Sequence, residues 1–163
     1  MKTRMRFCGF LAVVAAISLA GPMAGARAAG DENGPRTGQS PEFEGSRSEA
    51  ARFMSYYRTI HLTPEEKAFR DRALGTMPAP CCGNFSMATC CCACNLARSV
   101  WGLSNHLIKQ GKGEKAARAG VKAWLGALSP QGHSGNVCPT GGCNASLASG
   151  ACGGMNEERL IFR

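Results

Sequence analysis

The chain has 163 residues with a formal net charge of +8, and it carries ten cysteines against two tryptophans and two tyrosines. No basic stripe interleaved with aromatics occurs, so the charge does not point to nucleic acid. Serine–histidine–aspartate arrangements, nucleotide loops and paired carboxylate motifs are missing too, so nothing supports hydrolytic catalysis; the chain reads as a binding protein, or else as a thiol oxidoreductase.

In chain order, residues 1–28 read as an export signal. Lys2, Arg4 and Arg6 precede an apolar run from Phe7 to Ala20, Pro22 breaks that run, and Ala26-Arg27-Ala28 offers a small-x-small cleavage site. The run is too short and too poorly flanked for a stable membrane span, so the expected location is periplasmic or secreted. Cleavage there removes four basic residues, leaving 15 against 11 acids, and it removes Cys8. The nine remaining cysteines cannot all pair within one molecule, so at least one is free, metal-bound or bridged to a partner.

Residues 29–42 have the polar, Gly- and Pro-containing composition of a disordered leader. Residues 43–129 read as a small, mainly α-helical bundle. Ala50, Phe53, Met54 and Tyr57 make one apolar stripe on a helix from about Glu44 to Arg58. Thr63-Pro64-Glu65-Glu66 predicts a second helix with a capping box, running to about Leu74 and stopping at Gly75. Pro78 and Pro80 then favour extended backbone up to Cys81.

Six cysteines fall within the fourteen residues that follow: Cys81, Cys82, Cys90, Cys91, Cys92 and Cys94. Adjacent cysteines bridge each other only with strain, because disulfide geometry sets the two α-carbons well apart. A run such as Cys90-Cys91-Cys92 therefore suits ligation or thiol exchange better than stapling. Cys90 to Cys94 precede a third helix, about Asn95–Gln110, whose N-terminal N–H groups favour anions, so all four are thiolate candidates. The paired Cys-x-x-Cys arms of the usual zinc site are missing, since only Cys91-Cys92-Ala93-Cys94 has that spacing, which weakens zinc; copper(I) accepts two or three thiolates in irregular spacing and is the favoured ion. Met77 and Met87 are nearby soft donors, though core filling is their ordinary use. The expected metal set is the six clustered cysteines.

The third helix has Leu96, Val100, Leu103 and Leu107 on one face and ends at Gly111. After a Lys112-Gly113 turn, Ala117, Val121, Trp124, Leu125 and Leu128 form the buried stripe of a fourth helix, about Glu114–Leu128, antiparallel to the third. Residues 130–163 form a Gly/Cys-rich irregular tail, in which Cys138, Cys143 and Cys152 are disulfide candidates, within the tail or to the cluster. His61, His106 and His133 are scattered and read as ordinary histidines.

The order of the run Leu74-Gly75-Thr76-Met77-Pro78-Ala79-Pro80-Cys81-Cys82, a helix ending Leu107-Ile108-Lys109-Gln110-Gly111, and a helix over Glu114–Leu128 resembles the small periplasmic thiol subunit of cytochrome c maturation, a three-helix family. The resemblance covers about residues 62–128. It implies reactive cysteines at Cys81 and Cys82 and a thiol protein or apocytochrome as partner. The family's two cysteines are spaced Cys-x-x-Cys, whereas these are adjacent, and the family lacks Cys90-Cys91-Cys92 and Cys94. No Cys-x-x-Cys-His is present, so the chain does not carry covalent haem itself. A third reading is a disulfide-stapled interaction module.

Overall fold

The computed structural model describes residues 41–138 and 142–163, all within one compact unit. The expected signal segment and all but the last two residues of the expected leader lie outside the described residues. The described chain is mainly helical.

Helix α1 (Arg47–Thr59) and helix α2 (Pro64–Gly75) both begin with a complete capping box, Ser46 with Glu49 and Thr63 with Glu66. Each box satisfies backbone N–H groups that the first turn leaves without helical partners. Helix α3 (Asn95–Lys109) and helix α4 (Glu114–Leu128) form the hairpin that the two apolar stripes predict. Leu107 faces Gly120 and Ser99 faces Trp124, so the two helices run antiparallel.

All five residues of the α4 stripe are buried, as are Leu96, Val100, Leu103 and Leu107 of α3. Trp124 anchors this core. Its ring meets Phe53 edge-on at 4.9 Å, and its indole N–H donates to Ser99 Oγ at 3.1 Å, so its one polar group is satisfied inside. Helix α1 lies against α3 at Gly102, where a β-carbon would stand 1.8 Å from the carbonyl oxygen of Phe53. Met77 and Met87 are buried in the core.

Between α2 and α3 the backbone makes a short antiparallel pair, β1 (Pro78–Ala79) with β2 (Cys82–Ser86), followed by a 3-10 turn at Met87–Thr89. The prolines keep this stretch extended as expected, but the pairing itself has a non-local cause. Gly83 N–H donates to Gly135 O at 2.7 Å, Gly135 N–H to Pro80 O at 2.9 Å, and Val137 N–H to Cys81 O at 3.0 Å. The tail thus adds backbone bonds along the Pro80–Gly83 edge. Further on it forms two 3-10 turns, Gly142–Asn144 and Leu147–Ser149, and folds back so that Leu147 N–H reaches Ile161 O at 2.8 Å. No described helix is long and apolar enough to cross a membrane.

Candidate metal centre

Three chain segments converge on the N-terminus of α3. Cys94 is the N-cap of that helix, and no side-chain hydrogen bond caps it. The tail does so with backbone instead. Asn95 N–H donates to Gly154 O at 2.9 Å and Leu96 N–H to Cys152 O at 3.0 Å. The side chain of Asn95, fully buried, donates from Nδ2 to both Gly153 O and Asn156 O at 2.9 Å. Arg98 adds a bond from Nη1 to Met155 O at 2.8 Å and an ion pair from Nε to Glu157 at 3.0 Å. Gly153 and Gly154 take positive φ of 71° and 93°, which lets the backbone turn its carbonyls onto the helix end.

That docking places Cys152 beside Cys94 and Cys81, and all three are buried. Their sulfurs lie within 4.8 Å of one another. A second group is Cys82, Cys91 and Cys138, of which Cys91 is exposed. Cys90, Cys91 and Cys92 make a third, and Cys92, Cys138 and Cys143 a fourth.

The groups share members and touch through further contacts. Cys81 Sγ is 3.9 Å from Cys90 Sγ, Cys92 Sγ is 3.7 Å from Cys138 Sγ, and Cys138 Sγ is 3.5 Å from Cys152 Sγ and 3.7 Å from Cys143 Sγ. All nine described cysteines therefore form one sulfur network, and all nine are free. The tail cysteines, expected as disulfide partners, stand as thiols in that network at separations far beyond the roughly 2.05 Å of an S–S bond.

The adjacent pair Cys81-Cys82 divides between groups at the point where the Pro80-Cys81 turn enters β2. Cys81 faces Cys90, Cys94 and Cys152, whereas Cys82 faces Cys91 and Cys138.

Ionisation is uneven across the network. Sulfur contacts from Cys152, Cys81 and Cys90, with help from the Ala97 N–H, hold Cys94 well below the ordinary thiol range despite its burial. Cys91 is also lowered, first by its contact with Cys82, whose sulfur lies 2.9 Å away. Cys90 and Cys92 move the opposite way. Cys81 favours the Cys90 thiolate, but Cys94 and burial outweigh it and push Cys90 up to about 11. Burial, then the charge on Cys94, raises Cys92. Position near a helix N-terminus thus predicts thiolate character for Cys94, at the cap itself, and Cys91, but not for Cys90 or Cys92.

No family model, curated protein or solved structure matches this chain. The reading of the site accordingly rests on its geometry.

The histidines stand apart from the sulfurs. His133 has Nδ1 3.0 Å from Gly150 O and Nε2 3.2 Å from Leu125 O, and His106 stacks on Tyr56 with ring centroids 4.4 Å apart. The six cysteines predicted as ligands are brought together, and Cys138, Cys143 and Cys152 join them. Asn95 was missed altogether as the residue that seats the tail. Its one sequence signal is a buried-face position directly after Cys94.

A tetrahedral metal–sulfur site with bonds of about 2.3 Å sets its sulfurs about 3.8 Å apart, and a trigonal one about 4.0 Å. Contacts of 3.5–3.9 Å fit such spacing, whereas the 2.9 Å between Cys82 and Cys91 is shorter than either. The cysteine groups are close enough to hold a metal ion.

Proposed function

We propose that the chain is an exported thiolate-cluster protein that binds copper(I), for storage or delivery. The observation that carries this reading is the convergence of nine free cysteines, from three separate segments, into one network of three-sulfur groups. Copper(I) is a soft ion that is satisfied by three thiolates, whereas a structural zinc site takes four ligands in a tetrahedron. Among the described residues each mutually close group contains three cysteines, which favours copper(I). Export is supported by Lys2, Arg4 and Arg6 before the apolar run and by the small-x-small site at Ala26 to Ala28. In an oxidising compartment free thiols are at risk, and ligation to metal protects them.

The test is anaerobic titration of the reduced mature protein with copper(I) against a chromogenic copper(I) chelator, together with elemental analysis of protein recovered from its native compartment. Stoichiometric copper held against the chelator is expected. Recovery without metal, and with the cysteines paired as disulfides, would sink the proposal. The mass of the recovered N-terminus checks export and the cleavage site.

A second reading, thiol–disulfide exchange, is favoured by the pair Cys82 and Cys91 at 2.9 Å, with Cys91 exposed. The Cys91 thiolate would attack a protein disulfide, expelling one substrate sulfur as thiolate. Cys82 would then displace the other, leaving a reduced substrate and a Cys82–Cys91 disulfide. Replacing Cys82 by Ser should then trap a mixed disulfide, and if none accumulates this reading fails. The resemblance to the cytochrome c-maturation subunit points to Cys81 with Cys82, whereas the geometry pairs Cys82 with Cys91.

A further inference from the structure

Resting on the copper(I) reading, we propose that the sulfur network contains two three-thiolate sites of different accessibility: an inner site of Cys81, Cys94 and Cys152, and an outer site of Cys82, Cys91 and Cys138, through which ions enter and leave.

The division is built into the backbone. The Pro80-Cys81 turn hands over to β2 between the two cysteines, and Cys81 falls in the inner group while Cys82 falls in the outer. The other two inner ligands come from the α3 N-cap and from the tail segment docked on it, and every inner residue is buried. Cys152 and Cys94 are fixed by the Leu96 N–H to Cys152 O bond and by the Asn95 side chain bonded to Gly153 and Asn156. The outer site draws Cys91 from the cysteine run before α3 and Cys138 from the tail segment whose N–H groups donate to Cys81 O, and it opens to solvent at Cys91; an ion bound there parts the 2.9 Å Cys82–Cys91 contact to ligand spacing.

Cys138 joins the two sites. Its sulfur is 3.5 Å from Cys152 Sγ, the spacing of two ligands on one ion. An ion held by Cys82, Cys91 and Cys138 can therefore pass inward by ligand exchange. It keeps its bond to Cys138 while bonds to Cys82 and Cys91 break and bonds to Cys152, then Cys94 and Cys81, form, and the Cys138 bond breaks last. The ion remains copper(I) throughout; each newly ligating thiol releases its proton and each freed thiolate takes one up from solvent, so no oxidant or reductant is needed.

The experiment combines native mass spectrometry of the reduced mature protein titrated with copper(I) and stopped-flow removal of the metal by excess copper(I) chelator. At least two ions per chain are expected, leaving in two phases at least tenfold apart in rate. Cys91→Ser should abolish the fast phase and keep the slow one; Cys152→Ser should do the reverse. Cys91 is exposed, so its variant keeps the fold and leaves the test decisive even if Cys152→Ser unfolds, which circular dichroism would reveal. A single ion per chain, or two ions leaving at one rate in the parent protein, overturns the two-site proposal and leaves copper(I) binding intact. Failure to bind any copper(I) overturns both.

Discussion

The backbone N–H of Leu96 donates to the carbonyl oxygen of Cys152 at 3.0 Å, and this bond couples the tail to the sulfur centre. The first turn of a helix has N–H groups with no partner inside the helix. In α3 two of them are answered by the carbonyls of Cys152 and Gly154. The same contact that completes the helix end therefore carries the Cys152 sulfur to Cys94. Anything that loosens the tail should disturb the sulfurs before it disturbs the helical core.

Asn95 offers the direct check. Its buried Nδ2 satisfies two tail carbonyls, and removing it leaves both without that donor. Gly153 O and Asn156 O keep the N–H groups of Ile161 and Arg159, so Asn95→Ala should cost the two lost hydrogen bonds, about 1–3 kcal/mol in all. Urea unfolding should report that loss. Copper(I) affinity should fall along with it, because Cys152 loses its seat; unchanged affinity would show that the tail does not position the sulfur.

The helices were legible because their signals are local. Helix α4 spans Glu114–Leu128 as its stripe predicts, α2 starts at the Thr63–Glu66 capping box, and α3 begins at Asn95 directly after Cys94. Helix α1 starts at Arg47 rather than near Glu44, because Ser46 supplies the cap and Gly45 takes a positive φ of 65°. The β1–β2 pair was not legible. Its β1 arm has two residues, too few for a period, and the bonds that line its edge come from Gly135 and Val137, about fifty residues away. The same limit applies to the sulfurs. Spacing along the chain grouped Cys90 to Cys94 by proximity, whereas the β1–β2 turn and tail docking regroup them with Cys81, Cys82, Cys138 and Cys152.

Two glycines should respond in opposite directions to alanine. At Gly102 the added β-carbon meets the Phe53 carbonyl at 1.8 Å, a backbone atom that can yield only if α1 moves away from α3. Gly102→Ala should destabilise by about 1–3 kcal/mol or more. Gly126, on the exposed side of α4, has nothing within 4 Å of that position, so Gly126→Ala should stabilise by about 1 kcal/mol through helix propensity. Thermal melts of the two variants test this, and equal shifts would refute the close α1–α3 approach.

Alkylation of the metal-free, reduced protein should single out Cys91. It is exposed and its thiolate is favoured by Cys82, whereas Cys94 is also held below the ordinary thiol range but is buried. A lowered value keeps the reactive thiolate populated as pH falls below the ordinary thiol range near 8.5. Modification of Cys91 should therefore reach half its maximal rate below that pH. Replacing Cys82 by Ala removes the contact that holds Cys91 low and should move the midpoint upward. Peptide mapping after timed iodoacetamide pulses across pH provides the measurement, and a midpoint unmoved in Cys82→Ala would contradict the assignment.

Metal preference is the sharpest discriminator among the readings of the cluster. A tetrahedral zinc site needs four sulfurs, each about 3.8 Å from the other three. Cys81, Cys94 and Cys152 lie within 4.8 Å of one another, and among the described residues no fourth cysteine joins them as a complete set at that range. Zinc(II) would have to draw in a further ligand, which means moving the α3 cap or the tail that Asn95 holds. Copper(I) is served by the three sulfurs already in place. Copper(I) should accordingly displace zinc(II) from the reduced protein with no change in far-UV circular dichroism, and X-ray absorption should show three sulfur neighbours per copper. A four-sulfur shell around zinc that copper(I) cannot displace would instead mean that the tail or the α3 cap rearranges on binding.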